Sequence, residues 1–304
     1  MRIATLLPSA TEIVNALGLS HALVGISHSC RVSGELANLP RLTTTHVPYQ
    51  ASSQVIDDYV HEHLGSHEAL YDLDIETLAQ IKPDVIISQA LCDVCAVATG
   101  DVLEAVSTLP SKPALIDLTP NTLGEVFDDV LRVGTALGAA TVAVELVTLL
   151  RDRCEAIRFR SGMIPEDELP RVAFLEWLLP PFNGGHWNPE LVSIAGGKDL
   201  LGTHGKPSST QDWDSIVSQQ PDVLFIACCG FEPERALEDI RLAESESYWQ
   251  QIPAVRNRQV FLTDGNAFFS SPGPSLVDGL EILAHALHPT LHPEPENPAL
   301  RVYS

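Results

Sequence analysis

Basic residues are scarce in this chain, with 18 Lys and Arg against 40 Asp and Glu and a formal net charge of −22. Nucleic acid and anionic membrane surfaces would repel such a field, which argues against both as partners. No segment approaches the roughly 18 apolar residues of a membrane-crossing helix, so no membrane span is expected. Gly-rich phosphate loops, nucleophile elbows and metalloprotease motifs are all missing. No pair of side chains stands out as catalytic, so the expectation is not an enzyme. Six cysteines in 304 residues are too few for a disulfide framework. The opening, MRIATLLPSATEIVNALGL, holds one basic residue, an early Pro8 and no uninterrupted apolar stretch before a small-residue cleavage site. It reads as strand, turn and helix. The expected location is cytoplasmic, with reduced thiols, or periplasmic if the natural chain is longer at its start.

What the chain does have is a widely spaced repeat. Asp74–Cys92 reads DIETLAQIKPDVIISQALC and Asp212–Gly230 reads DWDSIVSQQPDVLFIACCG. Without a gap, Asp74 meets Asp212, Thr77 meets Ser215, and Pro83-Asp84-Val85 meets Pro221-Asp222-Val223. Each copy is a short amphipathic helix, a Pro-Asp turn and an apolar run of buried parallel-strand type. Two copies this far apart predict two similar α/β lobes rather than a solenoid.

Strand candidates are Ile3–Leu7, Leu23–Ile26, Val85–Ser88 and Ala114–Asp117, then Val172–Leu175, Val223–Ala227 and Val260–Thr263. Residues 43–71, carrying His46, His61, His63 and His67, have weak periodicity and read as a long loop with one helical turn and solvated histidines. From Asn121 an apolar spacing of three and four predicts a helix ending near Gly138, and a second helix covers about residues 141–159. The predicted organisation is an N-terminal α/β lobe over 1–118, a helical connector over 119–169, a C-terminal α/β lobe over 170–290 and a tail over 291–304. The fold class is α/β: two Rossmann-like lobes with parallel sheets, joined by a long helix, with a ligand cleft between them. The tail, rich in Pro and His, is expected to pack little.

The opening LLPSATEIVNALGL and the phrases VGISHSC, DIETLAQIKPDVIISQALCDVCAV, VAFLEWLLPPFNGGHWNPELVSIAGG, PDVLFIACCGF and VFLTDGNAFFSSPGP resemble the helical-backbone class of ABC-type solute-binding proteins, and within it the vitamin B12-binding branch. The resemblance runs from Ile3 to about His288. It implies two lobes closing around a cobalamin-like corrinoid or tetrapyrrole, or a metal chelate, and an ABC transporter permease as partner.

Ligands of open parallel sheets bind outside the carboxyl ends of strands. Cys92-x-x-Cys95 follows the first repeated strand and Cys228-Cys229-Gly230-Phe231 the second. Two thiolates three apart chelate a soft metal or form a redox disulfide, and Cys30, Cys229 and His186 are the candidates to complete a metal set with Cys92 and Cys95. Zinc or an iron–sulfur cluster would fit, and so the chain reads alternatively as a metal protein or a thiol-dependent enzyme on a binding-protein fold. The bland reading of these cysteines is as small buried hydrophobes, and Cys154 is assigned to a core or helix surface. His186, after Gly184-Gly185, is a candidate nitrogen donor, or else a cap for the following helix. Trp177, Phe182, Trp187, Phe231, Phe268 and Phe269 suit a large planar ligand, some of them as ordinary core. Ser9, with Thr11 and Glu12 at a helix start, His28 in VGISHSC, and Asp264 and Asn266 after the last strand, complete the candidate small-molecule contacts.

Overall fold

A computed structural model describes residues 1–66, 69–89 and 99–303. The chain divides into two compact units: residues 1–120 with 125–147, and residues 121–124 with 148–304.

In the first unit, strand β1 (Ile3–Thr5) leads into helix α1 (Pro8–Ala16), and β2 (Leu23–Gly25) follows. Next come β3 (Thr43–Thr45), α2 (Ser53–Ser66), β4 (Tyr71–Leu73), α3 (Ile75–Ile81), β5 (Val85–Gln89), α4 (Thr99–Thr108) and β6 (Ala114–Leu118). The strands β2-β1-β5-β6 form a parallel sheet in that order, and β3 and β4 pair as an antiparallel ribbon. Residues 43–71 are therefore not a loop with one helical turn. Helix α2 escapes the periodicity test because, among residues 53–63, only Ser53 and Ile56 are buried. Helix α5 (Leu123–Ala136) ends at Gly138, whose φ of 76° is open to glycine, as the sequence pattern predicts. The next helix, α6 (Ala140–Ser161), starts in residues counted with the first unit and ends in residues counted with the second.

In the second unit, β7 (Arg171–Leu178), β8 (Pro181–Asn183), α7 (Asn188–Ile194), β9 (Lys198–Asp199), α8 (Trp213–Ser218) and β10 (Val223–Ile226) come first. They are followed by α9 (Pro233–Glu244), α10 (Pro253–Arg256), β11 (Val260–Leu262), α11 (Gly265–Phe268), α12 (Leu276–Leu287) and β12 (Leu300–Arg301). The sheet order is β12-β11-β10-β7-β8, with β9 parallel to β7. Val85 and Val223 thus lie in separate sheets, and the fold is two-sheet α/β. The core of this sheet is aromatic: Phe174 and Phe225 stack at 5.4 Å, and Phe269 closes on both.

The tail is not a loose arm. Its strand β12 pairs antiparallel with β11, and Tyr303 receives the Trp249 indole N–H at 2.9 Å while donating to Glu244. His292 is 4% exposed, with Nε2 3.1 Å from the Ser161 hydroxyl. A run rich in Pro gives no periodic signal, yet it supplies edge pairing and one buried imidazole.

The repeat is carried by matched local bonds. Asp74 accepts the Thr77 N–H at 2.8 Å and Asp212 the Ser215 N–H at 3.2 Å, each capping its helix. Lys82 and Gln220 then turn left-handed at φ 45° and 49°. Asp84 accepts the Arg2 N–H at 2.7 Å and Asp222 the Arg171 N–H at 2.9 Å, which docks β5 on β1 and β10 on β7.

Candidate functional site

The carboxyl ends of the parallel strands present different chemistry in the two units. In the first unit the groups are hydroxyls, a thiol and an imidazole. The Thr5 and Thr11 hydroxyls are 2.6 Å apart, and Thr11 Oγ1 is 3.1 Å from Cys30 Sγ. Ser9 is 1% exposed, and its hydroxyl has no hydrogen-bond partner among the described residues. Burial pushes the Cys30 thiol up from its ordinary pKa, against the pull of Thr11, so it stays protonated at neutral pH. His28 is half-buried, its Nδ1 2.7 Å from Thr43 Oγ1 and its ring 5.7 Å from that of Tyr71. Burial, and then the Arg41 guanidinium, hold His28 below the usual histidine range. Arg41 in turn donates to the carbonyls of Ser27 and Cys30, fixing the VGISHSC turn. Glu12 is partly exposed within α1.

In the second unit Trp177, near the end of β7, lies against Phe231, just past β10, with ring centroids 4.5 Å apart. The Arg235 guanidinium sits 4.4 Å from the Phe231 ring. Asn266 accepts the Gly230 N–H at 2.6 Å, so the turns after β10 and β11 are joined beside these rings. Gly265 permits that approach, since a Cβ there would stand 2.4 Å from the Ala227 and Cys228 carbonyl oxygens. Asp264 caps α11 through the Ala267 N–H at 3.0 Å, and Phe268 is partly exposed on that helix. Phe182 pairs across to Trp177 and Thr210. Phe269 and Trp187 are core, and the Trp187 indole donates to the Phe269 carbonyl at 2.8 Å.

His186 is half-buried, with Nδ1 3.3 Å from Asn121 Oδ1 and its ring stacked on Trp187 at 5.5 Å. Burial lowers its pKa, so the imidazole is neutral at neutral pH and has a lone pair to offer. Gly184 and Gly185 are needed for close approach, a Cβ on Gly185 falling 2.3 Å from the Ser208 nitrogen. The left-handed residue is His186 itself, at φ 53°.

A group the sequence reading passed over is Glu176. Its carboxylate accepts the Gly185 N–H at 3.1 Å and the Asn188 amide at 3.4 Å, and its carbonyl accepts the Cys229 N–H at 2.9 Å. Burial raises its pKa, while Ser208, Gly185 and Asn188 pull the other way. A lone carboxylate inside the apolar run VAFLEWLL was the available signal.

The metal reading finds no support among the described residues. Cys92 and Cys95 lie outside the described residues. Cys30 belongs to the first unit, Cys229 and His186 to the second. Among the described residues no three His, Cys, Asp or Glu side chains are grouped to hold a metal ion. Cys228, 1% exposed, has its thiol pushed far up by burial, and Cys154 is also buried, as assigned from the sequence.

Residues 3–267 match the periplasmic binding protein family. The chain belongs to that family. Three relatives illustrate its range. An uncharacterized ABC transporter substrate-binding lipoprotein of Bacillus subtilis is 23% identical, covering 95% of this chain and 80% of the relative. The vitamin B12-binding protein of Vibrio cholerae is 24% identical over 92% of this chain and 86% of its own length. A solved structure of that periplasmic protein superposes with TM-score 0.66 at 22% identity, covering 94% of this chain and 96% of that one. A periplasmic heme-binding protein of Pseudomonas aeruginosa gives TM-score 0.71 at 18% identity, covering 98% and 95%.

The chain is accordingly a solute-binding protein. The expectation of a cytoplasmic location is overturned, because the family's relatives are a lipoprotein and periplasmic proteins. That expectation rested on the residues at which the sequence begins, and those residues carry no information on compartment. Among the described residues no helix is long and apolar enough to cross a membrane.

Proposed function

We propose that this chain binds a corrinoid-type tetrapyrrole and delivers it, outside the cytoplasmic membrane, to an ABC transporter permease. The observation that carries the reading is the Trp177–Phe231 pair at the ends of β7 and β10, with ring centroids 4.5 Å apart. Phe231 is 3% exposed and backs the partly exposed Trp177, whose ring at the strand end suits a broad planar ligand that gains from stacking and needs few polar anchors. Trp177 and His186 flank the Glu176–Gly185 hydrogen bond in the chain, so a neutral imidazole stands in the same neighbourhood. It is a fitting donor to cobalt or to a peripheral amide of the ligand. Asp264, Asn266 and Phe268, in the same unit as Trp177, are the proposed further contacts. The vitamin B12-binding relative supports the ligand class.

Titration with hydroxocobalamin, hemin and a ferric siderophore, read by tryptophan quenching and visible spectra, tests the proposal. Micromolar or tighter corrinoid binding is expected, weakened about tenfold or more by Trp177→Ala or Phe231→Ala. His186→Ala is expected to abolish any ligand-field shift of the cobalt bands. Preference for hemin would overturn the corrinoid while keeping the tetrapyrrole class. Binding of none of the three would overturn both.

A further inference from the structure

His186 holds a left-handed backbone, at φ 53°, without being glycine. Such a conformation costs about 1–3 kcal/mol and persists only where the surroundings enforce it. Here the enforcement comes from two loops. The His186 N–H donates to the Lys206 carbonyl, and the His186 carbonyl accepts the Gly205 N–H at 2.9 Å. The two loops touch at Gly185, where no Cβ would fit against the Ser208 nitrogen. One side chain bonds both. The Glu176 carboxylate takes the Gly185 N–H at 3.1 Å and the Asn188 amide at 3.4 Å from one loop, and the Ser208 hydroxyl from the other. Its own backbone is anchored in β7 and accepts the Cys229 N–H from the end of β10.

We infer that Glu176 is the positioning residue for the His186 imidazole, tying residues 184–188 and 205–208 to the end of β7 so that the ring meets the ligand in one orientation. The inference rests on the reading of His186 as a ligand donor. Glu176 works as a hydrogen-bond acceptor, whatever its charge. An isosteric amide can still accept from Gly185 and Ser208, whereas a methyl group leaves three donors without their common acceptor.

The test follows the His186 ring by ¹⁵N nuclear magnetic resonance across pH in the ligand-free protein, together with corrinoid titration. In the wild type, His186 should titrate below the ordinary value of 6.5. In Glu176→Ala the loosened ring gains water, its titration should move back toward 6.5, and corrinoid affinity should fall about tenfold. Glu176→Gln should keep both within about twofold of the wild type. If Glu176→Ala does not fold, Asn188→Ala and Ser208→Ala, which each remove one donor, should give the same shift to a smaller extent. A folded Glu176→Ala protein with unchanged His186 titration overturns the inference. So does a Glu176→Gln variant as damaged as Glu176→Ala, which would make the charge the active element. Failure of the wild type to bind any corrinoid overturns the ligand reading alone, because the resonance measurement needs no ligand.

Discussion

Asp74 and Asp212 cap their helices through the third residue along, Lys82 and Gln220 turn left-handed at the same place, and Asp84 and Asp222 each hold the N–H of an arginine that opens the adjacent strand. Even the strands after them begin alike, two residues past the left-handed Lys112 and Arg258. The two units therefore share one way of starting a parallel sheet. They part company further along each strand. Thr5 in β1 pairs its hydroxyl with Thr11, whereas Phe174, at the matching place in β7, stacks on Phe225. At the strand ends, one unit holds Ser9, His28 and Cys30, and the other Trp177 and Phe231. Caps and turns need only a carboxylate and a tolerant φ, so they can be duplicated unchanged. The residues beyond them are not needed for docking the strands and are the ones able to specialise for a ligand.

The largest expected effect breaks the symmetry inside the sheets. Phe174 is fully buried among Phe225 and Phe269, and Phe174→Ala should cost about 3–5 kcal/mol. Thr5→Ala removes one buried hydroxyl partner and a small volume, and should cost about 1–2 kcal/mol. Urea denaturation of the two variants measures the difference. Equal losses would mean that the aromatic core of the second sheet contributes no more than the polar interior of the first.

A second effect belongs to the second unit through its tail. His292 is driven down to about 4 by burial first, then by His288, Arg160 and His285, and Arg153, Glu281 and Glu294 line the same groove. The sign follows from which state binds the proton. Above 6.5 the imidazole is neutral folded or unfolded, and stability is complete. As pH falls from 6.5 toward 4 the unfolded chain protonates first, so stability declines across that window. Hydrogen exchange should show residues 288–303 opening before the first unit at pH 4.5. His292→Asn should flatten this pH dependence, and an unchanged pH profile would remove the tail's histidine from the account.

Much of this was legible in advance where a local rule has one dominant cause. Apolar runs after Pro-Asp gave the paired strands, and Gly138 ended α5 as its φ of 76° requires. Helix α6 was also foreseen, since Ala143, Val147, Leu150, Cys154 and Ile157 form one buried stripe, although apolar residues such as Leu149, 58% exposed, also lie off it. The signal failed where burial is thin or the contact is nonlocal. Residues 53–63 of helix α2 bury too few side chains to show a period, and the pairing of β12 with β11 joins residues about forty apart. His186 illustrates a subtler gap. Gly185 beside it admits Ser208, a neighbour that no spacing rule reveals. Glu176 was visible as a misfit carboxylate, yet its partners come from two loops distant in sequence.

The smallest expected effect is the most direct comparison of the two copies. Asp74 and Asp212 each satisfy one N–H at a helix start, so replacing either with Ala should cost about 1 kcal/mol at neutral pH. Only Asp74 also accepts a side-chain hydroxyl, from Thr77 at 2.6 Å. That bond, with the Thr77 N–H, holds its pKa below the ordinary 3.8. A carboxylate with a depressed folded pKa stabilises above its unfolded value and loses that contribution as pH falls through the folded one. The penalty of Asp74→Ala should therefore stay constant from neutral pH to about 4 and shrink below 3.8, as the wild-type carboxylate takes a proton. Asn at the same place still caps, so Asp74→Asn should recover most of the loss while being insensitive to pH. Thr77→Val should reproduce part of the Asp74→Ala penalty, with no counterpart in Ser215→Ala, whose hydroxyl makes no bond to Asp212 among the described residues. Denaturation at several pH values reads all five variants. A Ser215→Ala penalty equal to that of Thr77→Val would show that the two caps are equivalent after all.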